Sequence, residues 1–152
     1  MKTACFAGSF DPFTKGHEDL VKRGLTVFEC IHNAVGVNSS KSPFFTVEKR
    51  LAHIRSLFPD SEKVKISTFE NELTVEFAKK NDCSHLIRGL RDAKDFNYEF
   101  PIGLMNRRLA GMETVYMLPD PNLIEINSTI VREIFKNGGK IDVFVTNAHL
   151  LV

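Results

Sequence analysis

Gly8-Ser9-Phe10-Asp11-Pro12-Phe13-Thr14-Lys15-Gly16-His17 is the stretch from which the fold of this chain can be read. An apolar run, Ala4-Cys5-Phe6-Ala7, leads into it, and an amphipathic one, Leu20-Val21-Arg23-Gly24-Leu25-Phe28, leads out. That order is strand, glycine-bearing turn, helix. Such a turn offers free backbone N–H groups, and the start of the helix adds partial positive charge. A phosphate is the natural guest, and Gly8 and Gly16, lacking Cβ, allow backbone to approach it closely. His17 stands at the helix entrance. The turn has neither the Gly-Lys-Ser/Thr of a Walker loop nor the dinucleotide-binding fingerprint.

Working outward, the same alternation continues along the chain. Residues 2–7 read as a buried strand and 17–29 as a helix, with Glu18 and Asp19 suited to its N-terminal dipole. Ile31 to Val37 is a second strand and Ser39-Ser40-Lys41-Ser42-Pro43 a loop. Val47 to Phe58 is a helix capped by Thr46, with Pro59 beyond its end. Val64 to Phe69 alternates as a strand, and Leu73 to Asn81 is helical. Cys83 to Ile87 and Glu113 to Leu118 are the last strands. Between them runs a helix from about Asp95 to Ala110, where Pro101 implies a kink or a late start. Asn127-Ser128-Thr129 caps a helix from Ile130 to Lys136, which ends at Gly138-Gly139. Lys140 to Val152 carries a weaker helical pattern. This regular β-α order predicts an α/β fold, a Rossmann-like doubly wound parallel five-stranded sheet with helices on both faces, as one domain over residues 1–152.

Composition narrows the function classes. Twenty basic and 19 acidic residues give a net charge of +1, which argues against a broad nucleic-acid or membrane surface. No run of 18 apolar residues occurs, and the strand-like run begins too close to Met1 for a signal peptide, so a cytoplasmic protein is expected. Cys5, Cys30 and Cys83 are odd in number and widely spaced, and His17, His32, His53, His85 and His149 show no metal-site spacing. Buried packing is the better reading for the thiols.

In a parallel sheet, ligands bind beyond the carboxyl ends of the strands. The turn with His17, the loop with Lys41, Arg88-Gly89-Leu90-Arg91 and Asn127-Ser128-Thr129 each follow a strand, so all four fall on one edge. Taken singly each has a plain alternative: a capping histidine, a solvated lysine, arginines paired with Asp92 and Asp95, a simple helix cap. Together they make an edge rich in cations and donors, which suits a polyphosphate.

The opening stretch resembles the G-[ST]-F-D-P-x-T-x-G-H signature of the nucleotidylyltransferase superfamily, with Thr14 in place of the first histidine of the general H-x-G-H form. That replacement is typical of phosphopantetheine adenylyltransferases. Arg88-Gly89-Leu90-Arg91 with Asp95-Phe96-Asn97-Tyr98-Glu99 resembles that family's R-G-[LI]-R-x-x-x-D-F-x-Y-E motif, and Asn127 to Glu133 is similar to its I-S-S-[ST]-x-[VI]-[RK]-E segment. The likeness extends to about residue 140. It implies adenylyl transfer from ATP to 4′-phosphopantetheine, giving dephospho-coenzyme A and pyrophosphate, with Mg²⁺ carried by ATP rather than by a protein metal site. It further implies a homohexamer of two trimers, coenzyme A as feedback inhibitor, and no nucleic-acid or membrane partner.

By the same resemblance the catalytic groups are His17, Lys41 and Arg91. Ser9, Lys41, Thr74 and Arg88 line the phosphopantetheine site. Ser9, Phe10, His17, Gly89, Leu90, Arg91, Glu99 and the segment Leu123, Ile124, Glu125, Ile126, Asn127, Ser128 and Thr129 form the ATP site. Asn127 stands where serine is usual, and the segment opening at Leu123 often begins with Trp. Two rival readings are a related enzyme, such as nicotinamide mononucleotide adenylyltransferase, and a nucleotide-binding regulator without catalysis. The relatives in the first group usually keep the first histidine and lack the 88–99 motif.

Overall fold

The computed structural model describes residues 1–60 and 62–152. Five strands, β1 (Thr3–Gly8), β2 (Cys30–Val37), β3 (Val64–Glu70), β4 (His85–Gly89) and β5 (Glu113–Met117), form one sheet in the order β3-β2-β1-β4-β5. Every pairing is parallel, with Ala4 opposite both Ile31 and His85. β1 is therefore central, and the gap between β1 and β4 is where the winding reverses.

Helices α1 (Lys15–Gly24), α2 (Val47–Leu57), α3 (Thr74–Lys80), α4 (Ala93–Ala110) and α5 (Ser128–Lys136) complete the fold. Strand residues alternate between faces, and each face has its own apolar layer. Ala4, Phe6, Ile31 and Val35 pack with Leu20 and Val21 of α1 and Ile54 of α2. Cys5, Ala7, Ala34 and Leu86 pack with Val75, Phe77 and Ala78 of α3. The expected doubly wound α/β arrangement is thus the one observed. All three cysteines are free and buried.

Several boundaries differ from the sequence reading. α1 begins at Lys15, not 17, because Thr14 is already extended and serves as its cap. It also ends at Gly24 rather than 29: Thr26 donates its hydroxyl to the Arg23 carbonyl, and Leu25 and Phe28 reach the core from a turn. α4 starts early, not late, since Asp92 accepts from the Asp95 N–H at 2.9 Å, and one helix runs on through Pro101. α5 begins at Ser128, with the Asn127 side chain accepting from the Ile130 N–H at 2.8 Å. The helical pattern after Lys140 yields only one 3₁₀ turn, Ala148–Leu150. Gly138 and Asn147 have φ of +81° and +55°, which break any longer helix, while Ile141, Val145, Ala148 and Leu151 are spent on packing against Val131 and Phe45.

This terminal segment bears on the signature turn. Phe144 O accepts from Lys15 N at 2.8 Å, satisfying an N–H at the start of α1. Thr146 donates to the Glu18 carboxylate, and the Thr146 carbonyl is bonded to His53 of α2. The end of the chain thereby fastens α1 to α2.

Candidate active site

The carboxyl ends of β1 and β4 open into two cavities. The first, about 560 Å³, is lined by the turn Gly8–Phe10, His17, Arg88 to Arg91, Glu99, Met117, Pro119, Leu123, and Ile126 to Thr129. The second, about 650 Å³, is lined by Ser9, Asn38, Phe69, Glu72, Thr74, Tyr98, Ile102 and Asn106 among others. Both share Ala7, Gly8, Ser9, Arg88 and Glu99. Two pockets thus meet at one hydroxyl and one guanidinium.

The turn is held from several sides. Phe10 has φ of +47°, a left-handed conformation that disfavours a side chain with Cβ. Its ring compensates by edge-on packing with Phe6 and Phe13 at 5.0 Å and with His17 at 5.2 Å. A Cβ on Gly8 would stand 3.0 Å from that ring, so glycine is what allows the ring to lie there. Asp11 accepts from Phe44 N and Phe45 N at 2.7 and 2.8 Å. Arg50 donates to the Ser9 carbonyl, Arg132 to the Asp11 carbonyl and Ser128 to the Pro12 carbonyl. Three carbonyl oxygens of the turn are thereby taken up by side-chain donors. Among the described residues no acceptor takes the N–H of Ser9 or Phe10.

His17 has a defined chemistry. Its Nδ1 accepts from the Thr14 N–H at 2.9 Å, so in the neutral ring the proton sits on Nε2. Burial, helped by the charges of Arg88 and Arg91, pushes the imidazolium down to about 4. At neutral pH His17 is an uncharged donor facing the first cavity.

Arg88 donates Nε and Nη2 to one Glu99 oxygen, at 3.0 and 2.6 Å, and Nη1 to the Ala7 carbonyl. Glu99 is buried, and its place is secured from β5, where the Tyr116 hydroxyl donates to the Glu99 carbonyl. α4 can approach Tyr116 this closely because residue 103 is glycine; a Cβ there would overlap the phenol oxygen. Arg91 is held by Asp95 through Nε at 3.3 Å and through its backbone N–H at 2.9 Å. The sequence reading left open Asp95 as a partner for these arginines; that holds for Arg91, whereas Arg88 takes Glu99.

Of the residues singled out from sequence, Ser9, Phe10, His17, Gly89, Leu90, Arg91, Glu99, Leu123, Ile126, Asn127, Ser128 and Thr129 line the first cavity, while Ser9, Thr74 and Arg88 line the second. Ile124 and Glu125 line neither, and Lys41 lies exposed on the loop after β2, outside both linings. Met117, Pro119 and Asp120 form part of the wall and were not singled out. Their position at the carboxyl end of β5 and just beyond it is the signal that could have found them. Arg132 fell within the quoted 127–133 segment but was given no role, and Arg50 was missed, since a helical arginine outside a motif gives no sign in sequence of pointing inward.

Comparison with known proteins bears on what such a site does. The cytidylyltransferase-like family model matches residues 5–134. The chain is 42% identical over 148 residues to the phosphopantetheine adenylyltransferase of Flavobacterium johnsoniae, covering 97% of each. It is 41% identical to that of Phocaeicola vulgatus, covering 95% of each. Among solved structures, the bifunctional NMN adenylyltransferase/ADP ribose pyrophosphatase of Francisella tularensis, complexed with AMP and a manganese ion, superposes with a TM-score of 0.63 at 20% identity. That match covers 98% of this chain and 48% of the longer one, and at such low identity it speaks to the fold. The sequence likeness is of another order, since it runs nearly end to end and includes the turn, the arginine pair and the capped helix that meet around these cavities. By that likeness the chain belongs to the phosphopantetheine adenylyltransferase family.

Proposed function

We propose that this protein transfers the adenylyl group of ATP to 4′-phosphopantetheine, forming dephospho-coenzyme A and pyrophosphate. The observation that carries this reading is the meeting of two cavities at Ser9 and Arg88, since adenylyl transfer must press two phosphorylated molecules together at one point. ATP occupies the first cavity. Its base lies toward Met117, Pro119, Leu123 and Ile126, and its phosphates toward the turn and the N-terminus of α5. Phosphopantetheine occupies the second, its arm along Phe69, Thr74, Tyr98 and Ile102 and its phosphate at Arg88.

The acceptor phosphate is already anionic, so no general base and no covalent protein intermediate are needed. One of its oxygens attacks the α-phosphorus in line; the bond from that phosphorus to the bridging oxygen breaks, and the electron pair leaves with pyrophosphate. The protein aligns the two polyanions and stabilises added charge at the crowded centre. His17 donates its Nε2 proton as a hydrogen bond to an α-phosphoryl oxygen without transferring it. Arg91 and the backbone N–H groups at Ser128 and Thr129 hold the departing pyrophosphate. Lys41 lies outside both linings, on the loop anchored at Phe44 and Phe45, and would act on the phosphates only by swinging in from solvent.

Mg²⁺ would enter with ATP and neutralise phosphate charge. Asp19, Asp95 and Glu99 in the walls are each paired with an arginine, so their charge is already engaged and the phosphates themselves would be the main ligands of the ion. Coenzyme A carries the same pantetheine arm, which favours competition for the second cavity and hence feedback inhibition. α4 exposes Phe96, Phe100, Leu104, Met105 and Leu109, an apolar face that supports assembly of copies into a homohexamer. No described helix is long and apolar enough to cross a membrane, and free thiols suit the cytoplasm. The test is pyrophosphate release from ATP and Mg²⁺ with phosphopantetheine or with nicotinamide mononucleotide. Release with phosphopantetheine alone supports the reading; release only with the mononucleotide, or with neither, overturns it.

A further inference from the structure

Arg50 is the least expected side chain near the site. It is 4% exposed, and no carboxylate among the described residues lies within ion-pair distance. A buried guanidinium without a counter-ion is costly to desolvate, and polar groups must make up for the lost water. Here they are backbone carbonyls. Nη1 donates to Ser9 O at 2.6 Å, and Nε donates to Phe45 O at 3.1 Å. Phe45 is itself fixed by Asp11, which accepts its N–H. The guanidinium is therefore aimed by one end of the turn's own anchor.

The Ser9 carbonyl and the Phe10 N–H belong to one peptide plane. In a trans peptide those two groups point in opposite directions. Pinning the oxygen toward Arg50, which lines neither cavity, turns the N–H away from it, and Phe10 is a lining residue of the first cavity. The left-handed Phe10 makes this plane the one under strain, so without an anchor a flip that presented the carbonyl to the cavity would be the competing state. A carbonyl there would repel phosphate where the N–H binds it.

We propose that Arg50 is a positioning residue for the nucleotide. It holds the Ser9–Phe10 peptide so that the Phe10 N–H meets an ATP phosphate, and its unpaired charge lies behind the turn as a fixed attraction for that phosphate. This inference rests on ATP occupying the first cavity, as the proposed function has it. Phe10 lines the first cavity and not the second, so the effect belongs to ATP and pyrophosphate, not to phosphopantetheine.

Arg50→Lys keeps the charge but offers no fork to bridge two carbonyls. With folding checked by near-ultraviolet circular dichroism, calorimetry on the full chain should show ATP and pyrophosphate binding about tenfold weaker, in keeping with loss of one charge-assisted hydrogen bond, and phosphopantetheine within about twofold of wild type. Equal weakening of both ligands, or of neither, overturns the proposal. Should Arg50→Lys not fold, the wild-type protein decides. With ¹⁵N-phenylalanine, the Phe10 amide should move downfield on adding inorganic pyrophosphate; an unmoved Phe10 amide while the His17 ring signals shift overturns it. Neither arm requires turnover, so a wild-type protein that binds ATP yet makes no dephospho-coenzyme A counts against the proposed function alone.

Discussion

Acidification tests His17 most directly. Its imidazolium lies at about 4 in the folded protein against an ordinary 6.5, with burial the main cause and Arg88 and Arg91 adding to it. Between those two values the unfolded chain binds a proton that the native site refuses, so stability rises with pH across that interval. The contribution is complete above about pH 6.5 and is lost progressively as the pH falls to about 4. At ~1.4 kcal/mol per pH unit the full interval corresponds to ~3.5 kcal/mol, and solvent reaching the half-buried ring through the cavity reduces this toward ~2. His53 is also lowered by burial and pulls in the same direction, so wild type alone cannot isolate the effect. The assay is urea unfolding at several pH values for wild type and His17→Gln, with ring titration of His17 by NMR. The variant should lose ~2–3 kcal/mol of the stability change between pH 6.5 and 4, and the ring should stay neutral to below pH 5. Identical pH slopes for the two proteins, or a ring titrating near 6.5, would refute the view of His17 as a neutral donor in the half-buried wall of the first cavity.

Other perturbations follow from the same geometry. His17→Ala should lower turnover roughly 10²- to 10³-fold, as loss of one oxyanion donor does, and near-normal turnover would remove it from the reaction. Arg88→Ala should weaken phosphopantetheine more than ATP, and equal weakening by calorimetry would reject that assignment. Because Arg88→Ala also strands the buried Glu99 carboxylate, Arg88→Ala/Glu99→Gln serves as the folded control. Asp11→Ala removes the acceptor of two N–H groups and should cost about 2–3 kcal/mol in urea unfolding; a change under about 0.5 kcal/mol would mean that the Phe44–Phe45 anchor is dispensable. Gly103→Ala should destabilise by about 1–3 kcal/mol by forcing α4 off Tyr116, and an unchanged melting curve would show that the contact yields freely.

Much of the architecture could be read locally. Apolar runs marked the central strands β1 and β2, because a strand buried on both faces leaves little room for polar residues, whereas β3 at the sheet edge was marked by its alternation. Caps at Thr46 and Asn127 were legible because the capping group and the N–H it satisfies lie within three residues of each other. Boundaries failed where a distant contact decided them: the end of α1 depends on a turn that packs Leu25 against the core and buries Phe28, and the tail after Lys140 gave up helical length to pack against Val131 and Phe45.

What the sequence determined by itself is the alternation of strand and helix, and with it the edge on which His17, Arg88, Arg91 and Ser128 collect. Only the tertiary structure decided how those groups are charged and aimed. Arg88 turned to Glu99, eleven residues on; Arg50 turned inward to a carbonyl 41 residues away; Lys41 remained outside. Periodicity and capping are properties of neighbours along the chain, whereas the direction of a long side chain is set by which acceptors the packed fold brings within about 3 Å of it.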